Sequence, residues 1–251
     1  MSDPAPRVAI FGATSAIAAD VARIYAGRGA RLFLVGRDPT KLRALVEARG
    51  DAVAGSRAVD FNDPGAAASA VAEALESLGG KIDVAIVAHG LLGDQLASER
   101  DVAEAHRIIA TNFGSVVALL IPLGIHFETA GPGHIAVLSS VAGDRGRPRN
   151  YTYGASKAAL NVYLQGLRTR LWSRGVGVHT LKLGPVDTPM TTGHTKNALF
   201  ARADRVAASI VAAIDGGRTE AYLPWFWRPI MLVVRNLPEA ILQRLPALSG
   251  R

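Results

Sequence analysis

Short apolar runs alternate with longer helical stretches along the whole chain. The runs that are typical of strands lie at residues 8–11, 31–35, 57–60, 83–87, 134–140, 176–183 and 219–223. Helical patterns separate them, including residues 64–78 and 151–174. Strands that alternate with helices need right-handed crossovers, so the pattern predicts an α/β, doubly wound Rossmann-type fold: one parallel sheet of about seven strands with helices on both faces.

Composition narrows the possible organisation and partners. We find no repeat or linker, so residues 1–251 are predicted to form a single domain, with residues 224–251 as an amphipathic C-terminal tail. The chain has no cysteine, which excludes disulfides and thiolate chemistry, and we predict no metal site. The net charge of +7 favours anionic partners. Nucleic acid is not expected among them, because the basic residues are scattered and no nucleic-acid module is present.

One uncharged run, residues 108–125, is long enough to cross a membrane. It contains Thr111, Asn112, Ser115 and Pro122, which suit a helix buried in protein better than one facing lipid. Residues 1–6 lack a basic segment followed by an apolar run, so no signal peptide is predicted. The expected location is cytoplasmic, with peripheral contact to the inner face of the membrane through residues 225–251 as a further hypothesis.

The first strand leads into the turn at residues 12–18, GATSAIA, and then into a helix. This order is typical of a dinucleotide site, where the backbone approaches a pyrophosphate at a helix N-terminus. Ala16 and Ala18 replace expected glycines, so a plain buried turn is the alternative. After the second strand, Arg37 can pair with a 2′-phosphate and select NADP, or it is a surface arginine. Asp38 before Pro39 indicates a helix N-cap.

Tyr153 and Lys157 are four residues apart on a predicted helix and so lie on one face. An ammonium group there favours the ionised phenol and lowers its pKa. A half-buried core tyrosine beside a solvated lysine is the alternative. In a doubly wound sheet ligands bind at the carboxyl ends of the strands, so these residues and the other segments that follow strands should converge on one cleft.

With these positions assembled, the chain resembles the classical short-chain dehydrogenase/reductase family over nearly its whole length. The resemblance implies four catalytic residues, Asn112, Ser140, Tyr153 and Lys157, with Ser140 rather than Ser139 orienting the substrate. It implies an NAD(P)-binding domain with cofactor contacts from Gly12, Thr14, Ser15, Ile17, Arg37, Asp60, Phe61, Ala88, His89, Gly90, Tyr153, Lys157, Pro185, Val186 and Thr188.

These residues support the hypothesis of ketone reduction by hydride transfer from NADPH, preferred over NADH. Ser140 would bind the substrate oxygen and Tyr153 would donate the proton, while Lys157 would lower the phenol pKa and hold the nicotinamide ribose. As the resemblance implies, Asn112 would hold a water linking Lys157 to solvent; a buried, helix-bending amide is its alternative. Thr188 would bind the nicotinamide carboxamide.

Three positions depart from the family pattern. The turn keeps only its first glycine, the usual Asn-Asn-Ala-Gly is reduced to residues 87–90 with His89 in a packing or chemical role, and Leu183 replaces a proline. More narrowly, residues 83–94, 235–238 and 244–246 resemble the decaprenylphosphoryl-ribose 2-keto reductase type, the reductase subunit of an epimerase. That resemblance implies a 2-keto sugar on a lipid phosphate as substrate, and a partner oxidase.

Two segments bear on the substrate and partners. Arg145, Arg147 and Arg149 alternate beside the expected cleft, which suits an anionic ketone, a solvated loop or a subunit contact. The tail places Trp225 and Trp227 among arginines, which suits a membrane interface, a long lipid chain, a substrate lid or a dimer contact. A homodimer or homotetramer is expected from the uncharged helix and from family habit. The competing hypothesis of another class is a non-catalytic NADP-binding regulatory or interaction subunit.

Overall fold

The computed structural model describes residues 5–193 and 195–245. Within those ranges the chain forms nine strands: β1 Arg7–Phe11, β2 Arg31–Gly36, β3 Val53–Ala58, β4 Val84–Val87, β5 Gly133–Ser140, β6 Val176–Leu183, β7 Val186–Asp187, β8 Ala201–Arg202 and β9 Glu220–Leu223. The predictions about the first four residues, Pro246 and the rest of the tail end lie outside the described residues.

Seven strands form one sheet in the order β3-β2-β1-β4-β5-β6-β9, and every neighbouring pair is parallel. The order reverses between β1 and β4, which is the switch point of a doubly wound sheet. The predicted fold class is therefore confirmed. β7 and β8 pair separately as a two-stranded parallel sheet that the sequence did not indicate, because two-residue strands leave no periodic pattern.

Helices cover both faces of the sheet. They are α1 Ala16–Gly27, α2 Pro39–Arg49, α3 Pro64–Ser77, α4 Gln95–Ser98, α5 Val102–Ile109, α6 Ser115–Ala130, α7 Tyr151–Leu171, α8 Ala203–Asp215, α9 Trp227–Asn236 and α10 Glu239–Leu242. One core packs α1 and α8 on the sheet, and a second packs α3, α6 and α7 on the opposite face. The central strands are buried on both sides, as their continuous apolar runs predicted.

The third strand was predicted in the wrong place. It covers Val53–Ala58 rather than residues 57–60, so Asp60 follows the strand instead of ending it. The strand lies at the edge of the sheet and is only partly buried, and its pairing with β2 contains a register shift. Its sequence, VAGSRA, consequently lacks the apolar run on which the prediction depended.

The uncharged run belongs to a helical segment, Val102–Ala130, in which a π-helical turn at Ala110–Gly114 joins α5 to α6. Its length and apolar composition would suffice to cross a membrane, and half of its most apolar window is buried in the protein. The buried face of α6, including Leu119, Leu123 and Phe127, lies in the core beside α3 and α7.

Candidate active site

A cleft of about 760 Å³ opens at the carboxyl ends of the central strands. It is the place where a doubly wound sheet binds ligands. Six residues predicted as site residues line it: Ile17, Ser140, Tyr153, Pro185, Val186 and Thr188. The others lie at neighbouring strand ends, and Lys157 and Asn112 lie beneath the surface.

Ser140 ends β5 and faces Tyr153 on α7. The Ser140 side chain lies close enough to the Tyr153 phenol to lower its pKa, and its Oγ accepts from Ala142 N–H at 3.1 Å. The two elements approach closely because residue 143 is glycine: a Cβ there would lie 2.8 Å from the Lys157 carbonyl carbon. Ser139 is buried and donates to Asn161 Oδ1 at 2.6 Å, so it holds the strand to α7. The geometry leaves Ser140 as the serine that can reach a ligand.

The Tyr153 phenol is more basic than the sequence predicted. Burial raises its pKa, and the nearby Ser140 side chain opposes that rise. The direction is opposite to the lowering expected from Lys157, whose Nζ lies 5.8 Å from the centroid of the Tyr153 ring. A raised pKa keeps the phenol protonated at neutral pH, which is the state that a proton donor needs.

The Lys157 side chain is buried, including its ammonium group. It is 3% exposed, and its Nζ donates to the Leu138 carbonyl oxygen at 3.1 Å. Burial lowers its pKa to about 8. The alternative of a solvated lysine is therefore excluded by its position.

Asn112 lies in the π-helical turn and is fully buried. Its side-chain amide forms two hydrogen bonds with the Leu91 backbone: Nδ2 donates to the carbonyl oxygen at 2.7 Å, and Oδ1 accepts from the N–H at 2.8 Å. A Cβ at Gly90 would lie 2.9 Å from Asn112 Oδ1 and 3.5 Å from Lys157 Nζ, so the three residues converge. The buried, helix-distorting amide is thus what the structure contains, and the water relay stays a prediction.

The turn at residues 12–18 fits a pyrophosphate. Gly12 has φ +89°, and a Cβ there would lie 2.5 Å from the His89 backbone nitrogen, so only glycine fits. Ser15 caps α1 by accepting from Ala18 N–H at 3.2 Å, and the first turn of the helix has no acidic residue. Ala18 is buried in the core, where its methyl group packs the helix on the sheet. The helix N-terminus therefore remains available to an anion despite the two alanines.

Arg37 follows β2 and is exposed, and within the described ranges its guanidinium forms no ion pair. Asp38 accepts hydrogen bonds from Thr40 and Lys41 N–H at 3.0 and 3.1 Å, which confirms the predicted N-cap. Asp60 is exposed and accepts from Asn62 N–H at 3.0 Å. The Asp38 carboxylate is thus engaged as a helix cap, and the exposed Arg37 guanidinium lies at the carboxyl end of β2.

His89 packs within the protein beside the cleft. Its ring stacks on Phe61 with centroids 4.1 Å apart, and its Nε2 lies 2.7 Å from Ser115 Oγ. Burial and the charge of Lys157 lower its pKa to about 3, so the imidazole is neutral at physiological pH. The packing role is therefore what the contacts support. A contact of Phe61 with a cofactor would have to use its backbone, because its ring is buried.

The segment after β6 folds over the cleft. The Pro185 carbonyl oxygen accepts from Ala201 N–H at 3.0 Å, next to the β7–β8 pairing. Thr188 begins a short 3₁₀ turn, Pro189–Thr191, and lines the cleft together with Phe200. Pro185, Val186 and Thr188 thus line one side of the cleft, and their contact with a nicotinamide stays a prediction.

A buried ionic network behind Ser140 was missed by sequence reasoning. Lys182 Nζ lies 2.7 Å from Asp144 Oδ1 and 2.9 Å from Glu220 Oε1. The Tyr222 hydroxyl donates to Asp144 Oδ2 at 2.6 Å and accepts from Arg235 at 3.3 Å. Burial alone would lower the pKa of Lys182, but the bonds to both carboxylates raise it. A lysine inside an apolar strand was the available signal, since a buried ammonium needs partners.

The tail packs against the segment that follows Ser140. Trp227, Met231 and Val234 form a small core with Val141, and Arg145 pairs with Glu239 at 2.8 Å. Trp227 also lines the cleft. The lid alternative for the tail agrees with these contacts.

Comparisons with known proteins show the family of the chain. The family model described as short chain dehydrogenase matches residues 6–198. An uncharacterized oxidoreductase of Mycobacterium tuberculosis is 37% identical over 242 residues, covering 95% of this chain and 96% of its own length. A second, from Streptomyces coelicolor, is 32% identical over 249 residues and covers 97% of both chains.

Solved structures share the fold. A short chain dehydrogenase from Burkholderia cenocepacia in complex with NADP superposes with a TM-score of 0.83 at 23% identity, covering 96% of this chain and 97% of that one. The 3-ketoacyl-(acyl-carrier-protein) reductase of Brucella melitensis, complexed with NADH, gives a TM-score of 0.80 at 23% identity, covering 88% and 97%.

Proposed function

The chain belongs to the short-chain dehydrogenase family of NAD(P)-dependent oxidoreductases, and from that premise we propose that it reduces a ketone to a secondary alcohol with NADPH. The observation that carries the proposal is the convergence of Ser140, Tyr153 and Lys157 at one end of the cleft. A bound NADPH would supply the hydride. The protein supplies the proton and the orientation.

Ser140 binds the carbonyl oxygen of the ketone. Tyr153 gives its phenolic proton to that oxygen as the carbonyl group is reduced to the alcohol. The raised pKa of Tyr153 suits this direction, since the phenol is protonated before the step. Lys157 places a buried positive charge near the phenol and stabilises the phenolate that is left after proton transfer. It would also hold the nicotinamide ribose, and the carbonyl of the carboxamide would meet Thr188.

NADP is the proposed cofactor in preference to NAD. The support is Arg37, an exposed guanidinium directly after β2, next to Gly36. A 2′-phosphate is the group that a guanidinium there recognises, whereas the 2′-hydroxyl of NAD is held by an acidic residue. Asp38 is occupied as a helix cap and supplies no such acceptor.

A 2-keto sugar carried on a lipid phosphate is the finer proposal for the substrate. Its supports are the narrower sequence resemblance and an exposed apolar surface on the tail, where Trp225, Leu232 and Val233 are 61–73% exposed. Arg228 and Arg235 flank them, and aromatics with arginines suit a membrane interface. We propose accordingly a cytoplasmic protein that contacts the inner membrane surface through its tail. Loss of binding to anionic liposomes on deletion of residues 225–251 would test this.

The test of the reductase proposal is NADPH oxidation, followed at the nicotinamide absorbance band, with a panel of soluble and lipid-linked ketones. Tyr153→Phe should retain NADPH affinity and lose at least about 100-fold in turnover, since the proton donor is gone. A non-catalytic NADP-binding subunit is the competing candidate. Tight NADPH binding without reduction of any ketone, alone or with a partner oxidase, would favour it.

A further inference from the structure

We propose that Arg147 binds a phosphate ester of the substrate. The inference rests on the proposed function, because it assigns a substrate class to the same cleft. Arg147 lines the cleft beside Asn150 and Tyr153. Its Nε is buried and has no hydrogen-bond partner among the residues that the structure describes.

The structure separates three arginines that looked alike in the sequence. Arg145 is paired with Glu239 at 2.8 Å, so its charge is already used. Arg149 is exposed at the rim of the cleft. Arg147 is the one of the three that has a buried guanidinium nitrogen, its Nε, without a hydrogen-bond partner, and within residues 5–193 and 195–245 it forms no ion pair with a carboxylate.

A partly buried guanidinium without a partner lowers the stability of the folded protein, and a bound anion would offset that loss. Burial and the charge of Arg149 lower the pKa of Arg147 to about 10, which shows how poorly its surroundings tolerate the cation. Asp94 is the carboxylate on the described part of the cleft wall, and it accepts from Ala97 N–H at 3.1 Å as the cap of α4. The cleft wall therefore carries two arginines, Arg147 and Arg149, and one carboxylate, Asp94, which already caps a helix. An anionic ligand would supply the negative charge that the arginines lack.

A phosphate ester is the anion that this wall fits. The planar guanidinium forms paired hydrogen bonds to phosphate oxygens. Apolar side chains also line the cleft, among them Met190, Leu199, Phe200 and Trp227, and would receive the carbon skeleton of the ester. Arg147 lines the same cleft as Ser140 and Tyr153, so an anion bound there would share the cleft with the groups proposed to meet the ketone.

The experiment measures anion binding apart from turnover. Protein saturated with NADP⁺, so that the cofactor phosphates are already in place, is titrated with dihydroxyacetone phosphate and with dihydroxyacetone, by calorimetry. Farnesyl phosphate forms a second arm, and tighter binding of it than of the soluble ester identifies a lipid phosphate as the source. Each titration is repeated with Arg147→Gln, with Arg147→Lys, and with Arg174→Gln, which removes one exposed charge at the opposite end of the sheet.

The expected result is that phosphate esters bind at least about tenfold tighter than the neutral ketone, because hydrogen bonds to a charged group are worth that much. Arg147→Gln should lose the difference, Arg147→Lys should keep part of it, and Arg174→Gln should keep all of it. Equal binding of ester and neutral ketone, or a preference that survives Arg147→Gln, would overturn the proposal. So would a loss of NADP⁺ affinity in Arg147→Gln, because the residue would then serve the cofactor.

Stability gives an independent readout. Arg147→Met fills a similar volume without a charge, so its Tm should equal or exceed that of the unsubstituted protein. A lower Tm would show that the guanidinium is structural and would contradict the proposal.

If esters bind through Arg147 but no ketone is reduced, the anion site stands and the proposed reductase function fails. If neutral ketones are reduced with no ester preference, the reverse holds.

Discussion

Replacing Lys182 by methionine should destabilise the protein strongly, although the residue touches no ligand. Lys182 and Asp144 side chains are 5% and 4% exposed and lie 2.7 Å apart. Removal of one partner from a buried pair costs about 3–5 kcal/mol, because the other charge is left without compensation. Asp144 keeps the Tyr222 hydroxyl at 2.6 Å, so we expect the lower end, about 3 kcal/mol. For a domain of this size that is a fall in Tm of roughly 6–12 °C.

The assay is urea and thermal unfolding at pH 7. The raised pKa of Lys182 means that its contribution is fully present below the ordinary lysine pKa and is lost only as pH rises through the raised value. Lys41→Met is the matched control: its pair with Asp38 is 3.9 Å apart and Lys41 is 72% exposed, so it should cost at most about 1 kcal/mol.

A double-mutant cycle shows whether the pair is the cause. Lys182→Met combined with Asp144→Asn should be less destabilised than the sum of the single variants by at least about 1 kcal/mol, since no buried charge is then left alone at that position. Turnover should fall while NADPH affinity is kept, because Asp144 closes the turn that begins at Ser140. A cost below about 1 kcal/mol for Lys182→Met, or strict additivity in the cycle, would refute the reasoning.

Three further predictions concern the cofactor, a titration and assembly. Arg37→Ala should weaken NADPH binding by about tenfold or more and leave NADH affinity within about twofold, measured by fluorescence titration; equal losses would remove the 2′-phosphate assignment. Because burial lowers the pKa of Lys157 to about 8, the free energy of unfolding should rise with pH from about 8 towards the ordinary lysine value, and Lys157→Met should lack this rise. Ile125 and Val162 are 56% and 67% exposed on the long helices, so changing both to aspartate should dissociate the expected homo-oligomer, as light scattering would show; an unchanged mass would place the interface elsewhere.

The central sheet was predictable because its strands carry continuous apolar runs, and burial on both faces is what such runs mean. The edge strand Val53–Ala58 was not, since a partly exposed strand has no such run. Helix starts were predictable where a cap was visible, as at Asp38 before Pro39. A helix-bending amide at Asn112 was one of two alternatives in the sequence, and the structure was needed to show the π-helical turn and the bonds of this amide to Leu91, which is distant in the sequence.

The same distinction applies to the site. Tyr153 and Lys157 were found from their spacing on one helix, and Ser140 was chosen over Ser139 because the family resemblance implied it. The network of Lys182, Asp144 and Glu220 was missed, since its members come from separate elements and charge alone does not name a partner. The direction of the Tyr153 pKa also needed the structure, because the balance between burial and neighbouring charge depends on depth.

Trp227 lies against Gly184 so closely that no side chain could be added at residue 184. The tail helix therefore packs directly against the loop that should contact the nicotinamide. Within the described residues, the contribution of the tail to the cleft wall is Trp227, beside Met190, Leu199 and Phe200 from earlier in the chain. Replacing residues 224–245 by those of a relative would accordingly change the cleft wall at one position, and residue 184 would have to stay a glycine wherever the indole at residue 227 is kept.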